Sequence, residues 1–269
     1  GPMPNWCSNT IILDTEDKTH QEVYKTIKDI RKLSDCKKSK VFEFESEYFD
    51  FNKIIPVPVE LMDGEQKPGE VFSDLEYADL LQTPENKNKN GEYVGHMYDY
   101  HCPVENHPGY IDNASINEWY IDMAKIHHDH SAYLKNKYGV SSAYDFRCSA
   151  WGTKWEGSEL YVRKDACTIA LNFETAWSPP VPIYYKLCET IFKGYPSDFK
   201  FYEPGCGILG HLFYDRESIK MNDYIFMDND GSMNDESFKE LTDFWGAEPD
   251  AYVKNKETGL WSYDPDYED

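Results

Sequence analysis

The chain has 269 residues, and its 27 basic against 49 acidic side chains give a formal net charge of −22. This acidity argues against direct binding of nucleic acid through a broad basic surface. Hydrophobic residues make up 40% and aromatic residues 16% of the chain, which is enough to fill a core and excludes a disordered protein.

No apolar run is long enough to cross a bilayer, and no signal peptide follows Met3. We therefore expect a cytoplasmic protein with no membrane partner. Gly1 and Pro2 ahead of Met3 are typical of a protease scar, so we expect the natural chain to begin at Met3. The seven cysteines are widely spread and form no C-x-x-C pair, which favours reduced, structural thiols over a zinc or redox motif.

The N-terminal residues predict a strand, a helix and a second strand. Residues 5–14 are typical of a strand, and Thr19 with Glu22 forms a capping box at the start of a helix that runs to about Leu33. Phe42 and Phe44 alternate with acidic residues, which indicates a strand with one wet face.

A long segment without strand periodicity follows, from 53 to 158. Short helical patterns occur at 71–81 and 142–151, and Ser115 caps a longer helix that runs to about Lys137. We predict a mostly helical insertion.

The clearest strand pattern of the chain begins after this segment. Residues 168–177 alternate strictly and predict a half-buried strand whose inner face carries Trp177. Ser178 is predicted to be the N-cap of the following helix, which ends at Gly194.

The C-terminal part predicts further short elements. Residues 199–214 favour a β-hairpin, and residues 238–245 favour a short helix. The acidic tail from Glu248 onward is expected to be loosely attached.

With the insertion removed, the order of elements is β-α-β-β-α-β. This order predicts an α+β protein, a ferredoxin-like split βαβ sandwich interrupted by the long insertion. The predicted domains are a core of residues 3–52 and 159–216, an insertion of residues 53–158, and an acidic extension of residues 217–269.

Four motifs together resemble the YubB-like family of plasmid proteins and their phage relatives. They are Met3-Pro4-Asn5-Trp6-Cys7-Ser8-Asn9, Phe51-Asn52-Lys53-Ile54-Ile55-Pro56-Val57-Pro58, Trp151-Gly152-Thr153-Lys154-Trp155 and Phe173-Glu174-Thr175-Ala176-Trp177-Ser178-Pro179-Pro180. The resemblance implies a mobile-element origin, a bacterial host cell and a ferredoxin-like C-terminal part. It implies no reaction, cofactor or catalytic residue.

Several tryptophans stand at the ends of predicted elements beside small polar residues. If these ends meet in space, they would form an aromatic site for a peptide or a small ligand. The candidate binding residues are Asn5, Trp6, Asn9, Trp151, Thr153, Lys154, Trp155, Thr175 and Trp177. The alternative interpretation is that the tryptophans anchor the core and the polar residues are caps and turn formers.

No pattern predicts catalysis, a cofactor or a metal. The histidines at 127, 128 and 130 lack the H-E-x-x-H spacing of a zinc helix, and Asp228-Asn229-Asp230-Gly231 fails the register of a calcium loop. Cys7 or Cys148 could pair with a histidine as a nucleophile, but no local signature supports either pair.

Two functions are consistent with these observations. The first is a non-enzymatic accessory protein that binds and inhibits a host macromolecule, such as a defence factor, through an acidic and aromatic surface. The acid-rich stretches 60–79 and 222–243 suggest a host protein with a basic nucleic-acid-binding cleft as the partner. The alternative is a small-ligand-binding protein or an enzyme with a tryptophan-rich pocket.

Overall fold

A computed structural model describes residues 4–36, 40–64, 129–221, 227–228 and 230–268. The chain divides into two compact units, one of residues 1–56 and 147–269 and the other of residues 57–146. The predicted helix at 71–81 and the start of the helix predicted from Ser115 lie outside the described residues.

The first unit is built on a seven-stranded antiparallel sheet with the strand order β2-β3-β4-β1-β5-β6-β7. Its strands are β1 Trp6–Asp14, β2 Glu43–Phe49, β3 Gly157–Lys164, β4 Thr168–Ala176, β5 Ser197–Glu203, β6 Ile208–Tyr214 and β7 Ile219–Met221. Of the alternation predicted for residues 168–177, the part along β4 is present, because Ile169, Leu171 and Phe173 are buried.

Two helices, α1 (His20–Lys32) and α4 (Val181–Glu189), cover one face of this sheet. The ring of Tyr184 on α4 lies 4.9 Å from that of Phe199, which is opposite Ile11 of β1. The guanidinium of Arg31 on α1 lies over the ring of Phe44 on β2, on the same face. The capping box predicted for α1 is present in full.

The connections make the protein a mixed α+β structure. The unit β4-α4-β5 is a split β-α-β, since β1 lies between its two strands and antiparallel to both. The predicted order β-α-β-β-α-β did not include the strand that the structure has at β3. The structure places β3 between β2 and β4, and therefore puts β2 at the edge of the sheet. Alternation along β3 is broken by a bulge at Glu159, whose φ is 53°, and this break hides the strand in the sequence.

The C-terminal residues are packed, which corrects the expectation of a loose tail. Helix α5 (Asp235–Asp243) and the hairpin of β8 (Tyr252–Lys254) and β9 (Trp261–Tyr263) form a small core with Leu209 of β6. The ring of Trp261 stacks on Phe238 at 3.9 Å, and its Nε1 donates to Asp235 at 2.7 Å. The aromatic residues among the acids bury enough apolar surface to hold this segment.

Within the second unit, helix α2 (Val59–Gly64), the helical residues 129–138 and part of helix α3 (Ala143–Ala150) are described. Leu61 and Leu134 are buried, and Lys137 Nζ lies 2.9 Å from Glu60 Oε1. None of the helices in the described ranges combines the length and apolar character needed to cross a membrane.

Candidate functional site

The predicted site residues meet at one end of the sheet, where β1 begins and β4 ends. Trp6 is opposite Ala176 in the pairing of β1 with β4, and the amide of Trp177 donates to the carbonyl of Asn5 at 2.8 Å. The segment that follows α3 joins them, because the hydroxyl of Thr153 donates to the carbonyl of Ala176 at 2.9 Å. The structure therefore brings together motifs that are far apart in the sequence.

Trp151 is a core residue rather than a binding residue. Its side chain is fully buried, its ring meets that of Phe51 edge to face at 5.7 Å, and its Nε1 donates to the carbonyl of Ile55 at 2.8 Å. Of the two interpretations of the tryptophans, the core interpretation is correct for this one.

The polar candidates Asn9, Thr153 and Thr175 are buried too, and they support the turn that follows β4. The Asn9 amide donates to the Thr175 hydroxyl at 2.9 Å, and that hydroxyl donates to the carbonyl of Ser178 at 2.7 Å. All three side chains are at most 2% exposed. Their side chains hold backbone groups in place.

Trp177 is the apex of a strained turn. Its φ is 71°, and the amide of Ser178 donates to the carbonyl of Ala176 at 2.9 Å, which is the hydrogen bond of a γ-turn with a left-handed central residue. A bulky side chain rarely adopts this conformation, which costs on the order of 1–3 kcal/mol and persists only where the surroundings hold it in place.

This turn corrects two predictions. Trp177 was expected on the inner face of the strand, but the left-handed residue turns its side chain outward, to 40% exposure. Ser178 is not an N-cap, because its hydroxyl donates to the carbonyl of Gly152 at 2.6 Å. Helix α4 begins after Pro180, which makes no side-chain cap.

Gly152 is the second fixed point of this loop cluster. Its φ is 80°, and a Cβ there would lie 2.7 Å from Cδ of Pro182 and 3.1 Å from the carbonyl oxygen of Pro179. Only glycine allows the end of α3 to approach the start of α4 this closely.

These contacts fix the backbone of a loop that carries exposed aromatic side chains. Trp6, Trp155 and Trp177 are 39%, 38% and 40% exposed, and we call these three residues the tryptophan surface. The ammonium group of Lys154 lies 4.5 Å from the ring centroid of Trp155. Asn5, at the edge of this surface, is also exposed.

Two carboxylates lie beside residues of the tryptophan surface. Glu174 is opposite Ser8 in β1 and shares a sheet face with Trp6, and Glu156 directly follows Trp155. We call Glu156 and Glu174 the acidic rim. Lys154 and Arg147, whose Nε donates to the carbonyl of Lys154 at 2.8 Å, are the cations beside it.

Sequence reasoning missed a buried carboxylate at the same sheet end. Glu203 is 1% exposed, and its oxygens accept hydrogen bonds from the amides of Gly205 and Cys206 at 2.7 and 2.6 Å. The glycine-rich turn after an acid was the available signal. Glu203 organises the β5–β6 turn.

Cys7 is unsuited to be a nucleophile. It is fully buried, and burial together with the charge of Glu203 raises the pKa of its thiol to about 12. The reactive form of cysteine is the thiolate, which is scarce at neutral pH when the pKa is this high. Among the described residues, no group of three or more His, Cys, Asp or Glu side chains is arranged to hold a metal ion; His127 and His128 lie outside these residues.

Comparison with known proteins identifies the C-terminal part of the chain. Residues 150–245 match a family model described as the ferredoxin-like domain in Api92-like protein. The crystal structure of the protein Api92 from Yersinia pseudotuberculosis is 15% identical, with 81% of this chain and 98% of that chain covered and a TM-score of 0.32. No curated protein matches the chain. The chain therefore carries a ferredoxin-like C-terminal domain, similar to the one described in Api92-like protein, within a mixed α+β structure.

Proposed function

We propose that this protein is a non-enzymatic accessory protein of a plasmid or phage, of the YubB-like kind. In this proposal it acts in the bacterial cytoplasm, where it binds and inhibits a host protein, such as a defence factor, that has a basic nucleic-acid-binding cleft. The tryptophan surface is the contact, and the acidic rim selects a basic partner.

The conformation of Trp177 carries this proposal. The left-handed backbone of Trp177 costs conformational energy, and a side chain that is 40% exposed recovers only part of that cost through burial. Stability of the fold alone would therefore favour glycine at this position. An indole in a fixed orientation, by contrast, contributes strongly to protein interfaces, because large rigid aromatic groups dominate binding energy. Conformational strain of this kind is concentrated at binding and active sites.

Charge supports a basic partner. The acidic rim adds to a chain of net charge −22, which would repel anionic partners and attract cationic ones. A small-ligand site or an enzyme pocket would need the indoles to enclose a cavity, and each of the three rings is more than a third exposed instead. The geometry therefore supports a macromolecular partner better.

Affinity capture from a bacterial lysate tests the proposal when it is run with matched variants. We expect the wild-type protein to retain a basic, nucleic-acid-binding protein that Trp177→Gly fails to retain. Tyr24→Ala removes a ring of similar exposure (41%) from helix α1 and serves as the control that keeps the partner. Addition of the protein should then inhibit the purified partner in a nucleic-acid-binding assay. Retention that is the same for wild type and Trp177→Gly would contradict the proposal.

A further inference from the structure

A cleft lies at the opposite end of the sheet from the tryptophan surface, where β6 ends and β7 begins. Its volume is about 440 Å³, within the range of small-molecule sites, which is roughly 300–1,000 Å³. The last turns of α4 and the β6–β7 hairpin form its walls, and the nearly buried Cys188 and Tyr214 line it.

The backbones of two basic residues at this cleft, Lys193 and Arg216, are held by a common group. The hydroxyl of Tyr214 lies 3.0 Å from the carbonyl of Lys193 and 3.2 Å from that of Arg216, and it can donate its proton to either. The backbone positions of the two basic residues are thereby fixed relative to each other. Such preorganisation lowers the entropy lost when a ligand binds.

Arg216 occupies a position that normally favours glycine. It is the second residue of the four-residue loop 215–218 between β6 and β7, which is closed by a hydrogen bond from the Asp215 amide to the Ser218 carbonyl, and its φ is 78°. Glycine is preferred at a residue whose backbone is left-handed in this way. The chain keeps an arginine there and anchors it to Asp17 at 2.6 Å.

The remaining charges of the cleft define the ligand. Glu189 is within 3.7 Å of Lys186, whereas Lys193 and Glu217 make no ion pair among the described residues. The cleft thus offers one uncompensated cation and one uncompensated anion beside the exposed ring of Tyr185. A ligand with both charges satisfies both groups, and its zero net charge is not opposed by the −22 of the chain.

We propose that this cleft binds a zwitterionic amino acid with an aromatic or apolar side chain. Lys193 and Arg216 hold the ligand's carboxylate, Glu217 holds its ammonium group, and Tyr185 contacts its side chain. This site is independent of the proposed partner surface, and no covalent step is involved.

Titration with L-phenylalanine, followed by the backbone amide signals of residues 193–195 and 216–219 in NMR spectra, tests the proposal. We expect saturable binding of L-phenylalanine. Phenylacetate lacks the ammonium group and phenethylamine lacks the carboxylate, so each should bind at least about tenfold more weakly. Lys193→Met and Glu217→Gln should each weaken phenylalanine binding about tenfold. Lys220→Met, which changes a lysine paired with Asp215 outside the cleft lining, should not.

Arg216→Gly separates weaker binding from loss of folding. Glycine suits the hairpin loop, so this variant should stay folded while it binds phenylalanine more weakly. Phenylacetate binding as tightly as phenylalanine would overturn the zwitterion assignment. Absence of saturable phenylalanine binding to the wild-type protein would overturn the site as a whole.

Discussion

Two residues at the tryptophan-bearing end of the sheet, Trp151 and Trp177, lie in opposite environments although they have the same side chain. Trp151 is buried and donates to Ile55, whereas Trp177 is exposed on a left-handed backbone. Burial therefore separates a tryptophan that stabilises the fold from one that is available for binding. The sequence pattern had placed both in the candidate site, because spacing alone does not reveal exposure.

Substitution of these two residues should give contrasting results. Trp151→Ala should lower the free energy of unfolding by about 3–5 kcal/mol, because it leaves a cavity and an unpaired carbonyl. Trp177→Gly should change it by no more than about 1 kcal/mol, since relief of the backbone offsets the packing lost. Urea denaturation measures both. A Trp177→Gly protein destabilised as strongly as Trp151→Ala would make Trp177 a structural residue.

Cys7 should make stability depend on pH in the alkaline range. The pKa of its thiol is about 12 in the folded protein against an ordinary value of 9.0, so the folded state binds the proton more tightly. Its contribution is complete below about pH 9 and is lost as the pH rises toward 12. The free energy of unfolding of the wild-type protein should therefore fall more steeply above pH 9 than that of Cys7→Ala. Parallel curves for the two proteins would show that Cys7 is not the cause.

At the scale of elements, the loop between β4 and α4 is held from outside rather than by its own cap. The Ser178 hydroxyl donates to Gly152, the Thr153 hydroxyl to Ala176 and the Trp177 amide to Asn5. The first two bonds link the loop to residues 152–153 and the third links it to the start of β1, so the direction of the tryptophan depends on both segments.

Ser178→Ala should lower the free energy of unfolding by about 1 kcal/mol through loss of the bond to Gly152. In hydrogen exchange, faster exchange should appear in residues 151–155 and 176–178, while helix α4 (Val181–Glu189) stays protected. Thr153→Ala is the matched variant. It also removes one hydroxyl hydrogen bond between the loop and residues 152–153, but here the donor lies outside the loop. Faster exchange confined to α4 would instead indicate that Ser178 is its N-cap.

The same elements show what the sequence can predict. The alternation of Ile169, Leu171 and Phe173 is a local pattern, so β4 was predictable, as was the capping box of α1. The strand β3 was not, because the bulge at Glu159 breaks its period. The outward turn of Trp177 was not predictable either, since its cause is a set of hydrogen bonds from distant residues.

For the molecule as a whole, the site and the charge act at different ranges. The sheet presents indoles at one end and a cleft with both charge signs at the other, within a strongly acidic protein. Contacts of the indoles act only after docking. The net charge acts over a Debye length, which is about 8 Å at physiological ionic strength and about 3 Å at 1 M salt.

This difference in range predicts separate kinetic effects on the proposed partner. Glu156→Gln combined with Glu174→Gln should lower the association rate constant and its dependence on salt, because long-range attraction steers encounter. Trp177→Gly should instead raise the dissociation rate constant and leave the salt dependence unchanged, because its contact forms after encounter. Surface plasmon resonance at several salt concentrations measures both constants. An association rate constant that does not change with salt concentration would show that the partner is not recognised by charge. The tryptophan surface alone would then account for binding.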